Sequence, residues 1–403
     1  MSATALANAT VIAASAVVLW ILALPRLRNA AIWQATVTPL ASIIGSGFLV
    51  LAPLLLHEYG NRAPWVMLGL CLLAYAVGSA IRWNLQGMEA AAPPPLARRL
   101  DAVASWALAF AYVISVCYYL NLFGAFAVSL APWHGETVGR GVTTAALLLI
   151  AAIGLSRGLR GLERAETLTV SLKLAVIAGL LAGLVLFAAR SATQQQLPET
   201  VAPVLDMHSL TLAFGLVITV QGFETSRYLG SAYDADTRVR SMRYAQWLSG
   251  AIYVLYIGLC GLVFTAAEVP HEETAVIDMM APVAGVLPGL LVLAALAAQF
   301  SAAVADTNGC GGLVEQMSRD RLSSRQAYAL LIGAGLVLTW TADIYQIISY
   351  ASRAFAFYYA LQCALAARLA HRAGAARWRS PAYAALALLM LAAAVFGTPA
   401  EGE

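Results

Sequence analysis

The stretch 38–55, TPLASIIGSGFLVLAPLL, is apolar enough to lie in a membrane and interrupts itself at its centre. Gly45-Ser46-Gly47 sits there, with Pro39 and Pro53 on either side. Taken alone, such a glycine pair reads as a place where two helices pack closely. A second stretch changes that reading. Residues 212–230, LAFGLVITVQGFETSRYLG, put Gly222-Phe223-Glu224 in mid-span, where a carboxylate is costly. Two interrupted spans, each opening a block of five, are the sequence sign of a transporter built from inverted repeats. Unwinding a helix at mid-membrane frees amides and carbonyls that cannot face lipid, so the break must line a site. Half-helix N-termini favour a carboxylate and freed carbonyls favour a cation or ammonium, a combination that suits a zwitterion.

The rest of the chain supports a membrane setting. Of 403 residues 61% are apolar and 11% charged, against roughly 25% charged in soluble domains. The mean hydropathy is +0.76. No basic patch interleaved with aromatics supports nucleic-acid binding. The five cysteines, Cys71, Cys117, Cys260, Cys310 and Cys363, lie in apolar segments without a CxxC pair and read as buried inert thiols. The first apolar run, 5–24, lacks a basic segment before it and is followed by Arg26 and Arg28. That is the pattern of an uncleaved span rather than a secretory signal.

Apolar runs predict an all-α membrane protein of twelve spans. They fall at 5–24, 34–57, 63–83, 101–130, 138–156, 163–189, 207–233, 238–266, 287–317, 325–342, 343–370 and 379–397. The organisation expected is an extra N-terminal helix (1–30), a first five-helix repeat (31–190), a second, inverted one (191–372), and a C-terminal helix with its tail (373–403). With the N-terminus outside, nineteen arginines lie in inner loops or at inner span ends, among them Arg26, Arg98, Arg157, Arg160, Arg164, Arg238 and Arg372. Three, Arg62, Arg140 and Arg190, lie in outer loops. This asymmetry places both termini outside an inner or plasma membrane.

At these residues the chain resembles a known family. IIGSGF (43–48) is similar to the first-helix motif of the amino acid–polyamine–organocation (APC) transporter superfamily, and QGFET (221–225) to its sixth-helix segment. NGCGGLVEQMSRDRL (308–322) is similar to the inner end of its eighth helix. The resemblance spans roughly 34–370 and implies a LeuT-type five-plus-five fold with broken first and sixth core helices. YDADTRVRSMRYAQ (233–246) departs from the family pattern after helix six, and the extra first span is closer to that of sodium–solute symporters of the same fold.

Lys173, in SLKLAVIAG (171–179), is the single lysine of the chain. It lies about ten residues into its span, ~15 Å from the inner end, deeper than snorkelling fully covers. A charge there costs ~2.5–3.5 kcal/mol on insertion scales. A structural salt bridge, with Glu166 or another helix, is one reading. The other uses what arginine lacks, a charge that can be removed. The resemblance implies that Lys173 matches a helix-five lysine of proton-coupled members, whose amine sits where sodium sits in sodium-coupled relatives. It also implies a sodium alternative, with carbonyls of Ala41 and Ile44 and the helix-eight residues Ala303, Asp306 and Thr307. Lys173 and Asp306 are expected to share that site. Glu224 reads as a gate or proton-linked group, or as a helix cap. Tyr119, in YVISVCYYLNLF (112–123), is a weaker pocket residue. Arg353 is expected on the outer half, either facing an acid across a vestibule or in a structural pair.

The function expected is secondary active transport of an amino acid or related small amine or zwitterion, coupled to protons. Its substrate site comprises Ile44, Gly45, Ser46, Gly47, Gly222, Phe223, Glu224 and Tyr119. Coupling falls to Lys173, Asp306 and Glu224. No cofactor is expected beyond the coupling ion, H+ or alternatively Na+. The expected partners are a small-molecule substrate and the bilayer, with the oligomeric state left open. A transporter-like sensor is the alternative of another class. An enzyme is not expected, because the histidines 57, 134, 208, 271 and 371 are scattered at span ends.

Overall fold

The computed structural model describes residues 3–90, 94–132, 135–156, 166–194, 206–230, 232–270, 272–319 and 321–399. Arg157, Arg160, Arg164, His134 and His271, used above, lie outside the described residues, as do the side chains of Ser46 and Glu166. Every regular element among the described residues is helical. In order these are α1 (Ala3–Ala23), α2 (Pro25–Arg28), α3 (Ala31–Ser46), α4 (Phe48–Tyr59), α5 (Ala63–Ala90), α6 (Pro95–Val128), α7 (Glu136–Ser156), α8 (Glu166–Thr193) and α9 (Met207–Gly215). Then come α10 (Ala235–Val263), α11 (Val276–Met280), α12 (Leu287–Met317), α13 (Ser324–Thr341), α14 (Ile344–Arg372) and α15 (Arg379–Phe396). Eight helical stretches among the described residues are long and apolar enough to cross a membrane. The expected spans 34–57 and 207–233 are each divided in two, the first between α3 and α4, the second after α9.

Local chemistry fixes the helix starts. Asp234, Ser323 and Asp343 are N-caps whose side chains accept the amides of Thr237, Gln326 and Gln346 at the heads of α10, α13 and α14. Asp206 and Ser209 form a reciprocal capping box at the head of α9.

The helices pack in two groups. α3 and α5 lie against α10, with the segment after α9 between α3 and α10. α6 packs on α7 and α12, and α13 closes that group by contacting α7 and α12. α8 and α14 run between the groups: α8 touches α3, α10 and α12, and α14 touches α5 and α6. α1 covers α8, and α15 covers α14. Lipid offers no hydrophobic drive between helices, so small residues and interhelical hydrogen bonds hold them. Asn84 of α5 donates to the Gln362 carbonyl of α14 at 2.8 Å. Asn121 of α6 donates to Thr339 of α13 at 3.0 Å, and Arg82 of α5 to Gln246 of α10 at 2.5 Å.

Candidate functional site

The two interruptions meet, and they are built differently. In the first, only Gly47 leaves the helix, at φ −99° and ψ −20°. This is a kink. Gly45 and Ser46 remain in the last turn of α3, and the first backbone bond of α4 runs from the Leu51 amide to the Gly47 carbonyl at 3.0 Å. The amides at the head of a helix have no intrahelical acceptor, so the donors set free here begin at Gly47 and continue into Phe48 and Leu49. The second interruption is wide. α9 ends at Gly215, a 3₁₀ turn covers Val217–Val220, Gln221 is extended, and a second 3₁₀ turn covers Phe223–Tyr228.

Glycine is required where they cross. Gly222 has φ +112°, and a Cβ there would stand 2.5 Å from the Ser42 Cβ and 2.7 Å from the Ser42 backbone carbon. A Cβ on Gly47 would stand 2.6 Å from the Cβ of Thr219. Tyr253 of α10 ties the crossing from behind: its hydroxyl lies 2.7 Å from the Ile43 carbonyl and 3.0 Å from the Thr219 carbonyl. One phenolic proton is thus shared between carbonyls of both interrupted helices.

Lys173 reaches the first interruption. It is 5% exposed, and its Nζ donates to the Ala41 carbonyl of α3 at 3.0 Å. Gly45 is one turn on, on the same face, where an added Cβ would lie 3.5 Å from Ala302 of α12 and 3.7 Å from the Lys173 Nζ. The lysine therefore sits where α3, α8 and α12 converge, with its charge on a backbone carbonyl. Asp306, a turn beyond Ala302 and 4% exposed, takes its hydrogen bond from Ser115 of α6 at 2.5 Å. Thr307 donates to the Ala303 carbonyl at 2.7 Å. Lys173 thus holds α8 to α3 and Asp306 holds α12 to α6, with no ion pair between the two among the described residues. The ion pairs among the described residues join Arg140 to Glu136 and Arg227 to Asp101.

Glu224 is fully buried and turns back on the wide break. Its Oε2 accepts from the Gly222 amide at 3.0 Å and from the Tyr359 hydroxyl at 2.8 Å. Its Oε1 is buried without a hydrogen-bond partner among the described residues. Phe223 stacks on the Tyr359 ring, with centroids 5.2 Å apart and planes 13° from parallel. Tyr119 accepts from Gln221 at 2.8 Å, which brings α6 onto the break. Arg227, in the second 3₁₀ turn, pairs with Asp101 of α6.

The structure thus gathers Ile44, Gly45, Gly47, Gly222, Phe223, Glu224, Tyr119 and Lys173 about one crossing. It places Arg353 elsewhere: that side chain is exposed on α14 and donates to the Ala394 carbonyl of α15 at 2.9 Å, and it makes no ion pair among the described residues. Sequence reading missed Ser115, Tyr253, Tyr359, Gln221 and Asp101. Gln221 carried a signal, a polar residue beside the break glycine. The hydroxyls carried none, since a tyrosine or serine in an apolar run reads as packing.

Long apolar helices packed around buried charged side chains make this a multi-pass integral membrane protein. A family model described as an APC superfamily transporter matches residues 25–397, and the chain belongs to that family. It is a transporter, with a small-molecule substrate and a bilayer environment. A protein of Aquifex aeolicus (strain VF5), described as uncharacterized, is 42% identical over 350 residues, covering 85% of each chain.

Proposed function

We propose that this transporter carries an amino acid or related small amine or zwitterion, and that proton binding at Lys173 couples the cycle. The observation that carries the reading is the Lys173 ammonium on the Ala41 carbonyl, 3.0 Å away and buried beside Gly45. A charge-assisted hydrogen bond of this kind contributes about 1.5–3 kcal/mol, and it joins α8 to the interrupted helix α3. A neutral amine holds that carbonyl less strongly, so losing the proton frees α3 to move. Arginine cannot perform this cycle, because its charge is permanent.

The substrate reading rests on the crossing. The amides from Gly47 into the head of α4 suit a carboxylate. The Glu224 oxygen left without a partner suits an ammonium. Phe223 and Tyr359 form an aromatic wall beside it. The group of α3, α5, α10 and the segment after α9 rocks against the α6, α7, α12 and α13 group in a LeuT-type five-plus-five arrangement, with both termini outside. The packing of α1 on α8 and α15 on α14 supports the repeat reading.

Sodium coupling is the second reading, favoured by the approach of α12 to α3 at Ala302 and Gly45, which turns the stretch carrying Ala303, Asp306 and Thr307 toward the helix that carries the Ala41 and Ile44 carbonyls. Against it, Lys173 already holds the Ala41 carbonyl and Ser115 already holds Asp306. A thermal-shift screen of amino acids and amines, at two pH values with and without sodium, tests substrate and ion together. A zwitterion that stabilises the protein without sodium, and does so differently at the two pH values, supports the proposal. Strict sodium dependence overturns the proton reading.

A further inference from the structure

α14 presents one exposed stripe, Tyr350, Arg353 and Phe357, at helical spacing. The stripe forms the floor of a groove between α6, α13, α14 and α15, with a cavity volume of about 890 Å³. Apart from Arg353 its walls are almost wholly apolar, with Phe110, Val113, Val337, Phe357, Leu391 and Val395 prominent. Phe110 and Val337 are each 62% exposed, so the groove opens sideways into the membrane rather than inward to the site. A lone arginine in such a place is costly unless something answers its charge.

What the protein itself supplies is one carbonyl. Ala394 lies in the last turn of α15, where carbonyls lack intrahelical donors, and the Arg353 Nε donates to it at 2.9 Å. This explains one of the five guanidinium donors. Among the described residues Arg353 makes no other hydrogen bond and no ion pair. Its level is set by α15: Ala394 is two residues from the end of that helix, Phe396. The guanidinium therefore lies level with the last turn of α15, with the groove running along α14 from Tyr350 past it to Phe357.

We propose that this groove holds one anionic phospholipid, its phosphate on the terminal nitrogens of Arg353 and an acyl chain along Phe110, Val337, Phe357 and Leu391. Charge argues for this occupant over a second copy of the chain. A two-fold interface on this face would bury a second Arg353 in the same apolar patch without adding an acid to answer either charge, because such interfaces pair a patch with itself. The acid at the head of α14, Asp343, is already capping that helix through Gln346. A lipid phosphate supplies the missing anion, and an arginine fork matches its geometry. On the orientation proposed above, the lipid belongs to the outer leaflet.

The test is native mass spectrometry of the purified full chain, titrated with phosphatidylglycerol or phosphatidylcholine of matched chains. The wild type is expected to retain one phosphatidylglycerol at least five-fold more readily than phosphatidylcholine. Arg353→Gln should abolish that preference, and Val337→Trp, which fills the groove and leaves the arginine, should lower retention of both lipids. Equal retention of the two lipids by the wild type overturns the proposal. So does unchanged retention in Val337→Trp, a variant that decides the matter even if Arg353→Gln folds poorly. A wild-type dimer that Val337→Trp dissociates, with no lipid lost, overturns it in favour of a second copy.

Discussion

At the scale of the residue, the decisive group is Lys173. Its solitude is partly compositional, since every other basic residue of the pair Lys and Arg is arginine. That bias made it legible: the one removable positive charge stands where a charge is most expensive. What it touches was only half legible. Its contact with α3 fits the family resemblance, while Asp306 takes its hydrogen bond from Ser115, and nothing in a serine of an apolar helix announces a carboxylate partner. The Glu224 carboxyl is held in the same way by Tyr359. Tyr359→Phe removes that donor and leaves the ring stack with Phe223 in place. It should cost about 1–3 kcal/mol of stability, because a buried carboxylate loses a hydrogen bond. Thermal unfolding in detergent measures this, and a wild-type midpoint would show the bond to be idle.

At the scale of the element, the two interruptions were legible as positions and not as shapes. A glycine pair between prolines and a mid-span Gly-Phe-Glu both mark a break, yet one is a single-residue kink and the other an extended turn. The difference lies in φ: Gly47 stays on the right-handed side and Gly222 does not. Gly222→Ala should therefore destabilise the protein by about 1–3 kcal/mol through backbone strain alone, with more from the clash against Ser42. Denaturant or thermal unfolding reads this, and an unaffected variant would mean that the crossing can relax. The cap of α10 gives a pH dependence. The hydrogen bonds from Thr237 hold the Asp234 carboxyl below its usual range. A lowered folded value stabilises the helix head above the unfolded value and loses that contribution as pH falls through the folded one. Asp234→Ala should lower the unfolding temperature at neutral pH and make little difference in strong acid. An equal effect at both pH values would contradict this.

At the scale of the whole molecule, the proposed transport cycle requires two helix groups that separate at one end at a time. On the orientation proposed above, the inner end would be closed by the ion pair of Arg227, just past the wide break, with Asp101 of α6. Neither residue looked special in the sequence, because both fall among many charges at inner span ends. Asp101→Asn removes the ion pair and should bias the protein toward the inward-open state. Cys310, buried on α12 against the Ala109 carbonyl, reports this in a background without the other four cysteines. Its labelling from the inner side by an impermeant maleimide should accelerate several-fold in Asp101→Asn. An unchanged rate would mean that the pair is no gate.

The claim on which the rest depends is that Lys173 must gain and lose its proton. The direct measurement is uptake into proteoliposomes driven by an imposed pH gradient, in the absence of sodium, for the wild type, Lys173→Ala and Lys173→Arg. The wild type should accumulate substrate, while both variants lose gradient-driven accumulation, the arginine variant because its charge cannot cycle. If Lys173→Arg accumulates substrate as the wild type does, with unchanged pH dependence, the lysine is structural and the coupling lies elsewhere.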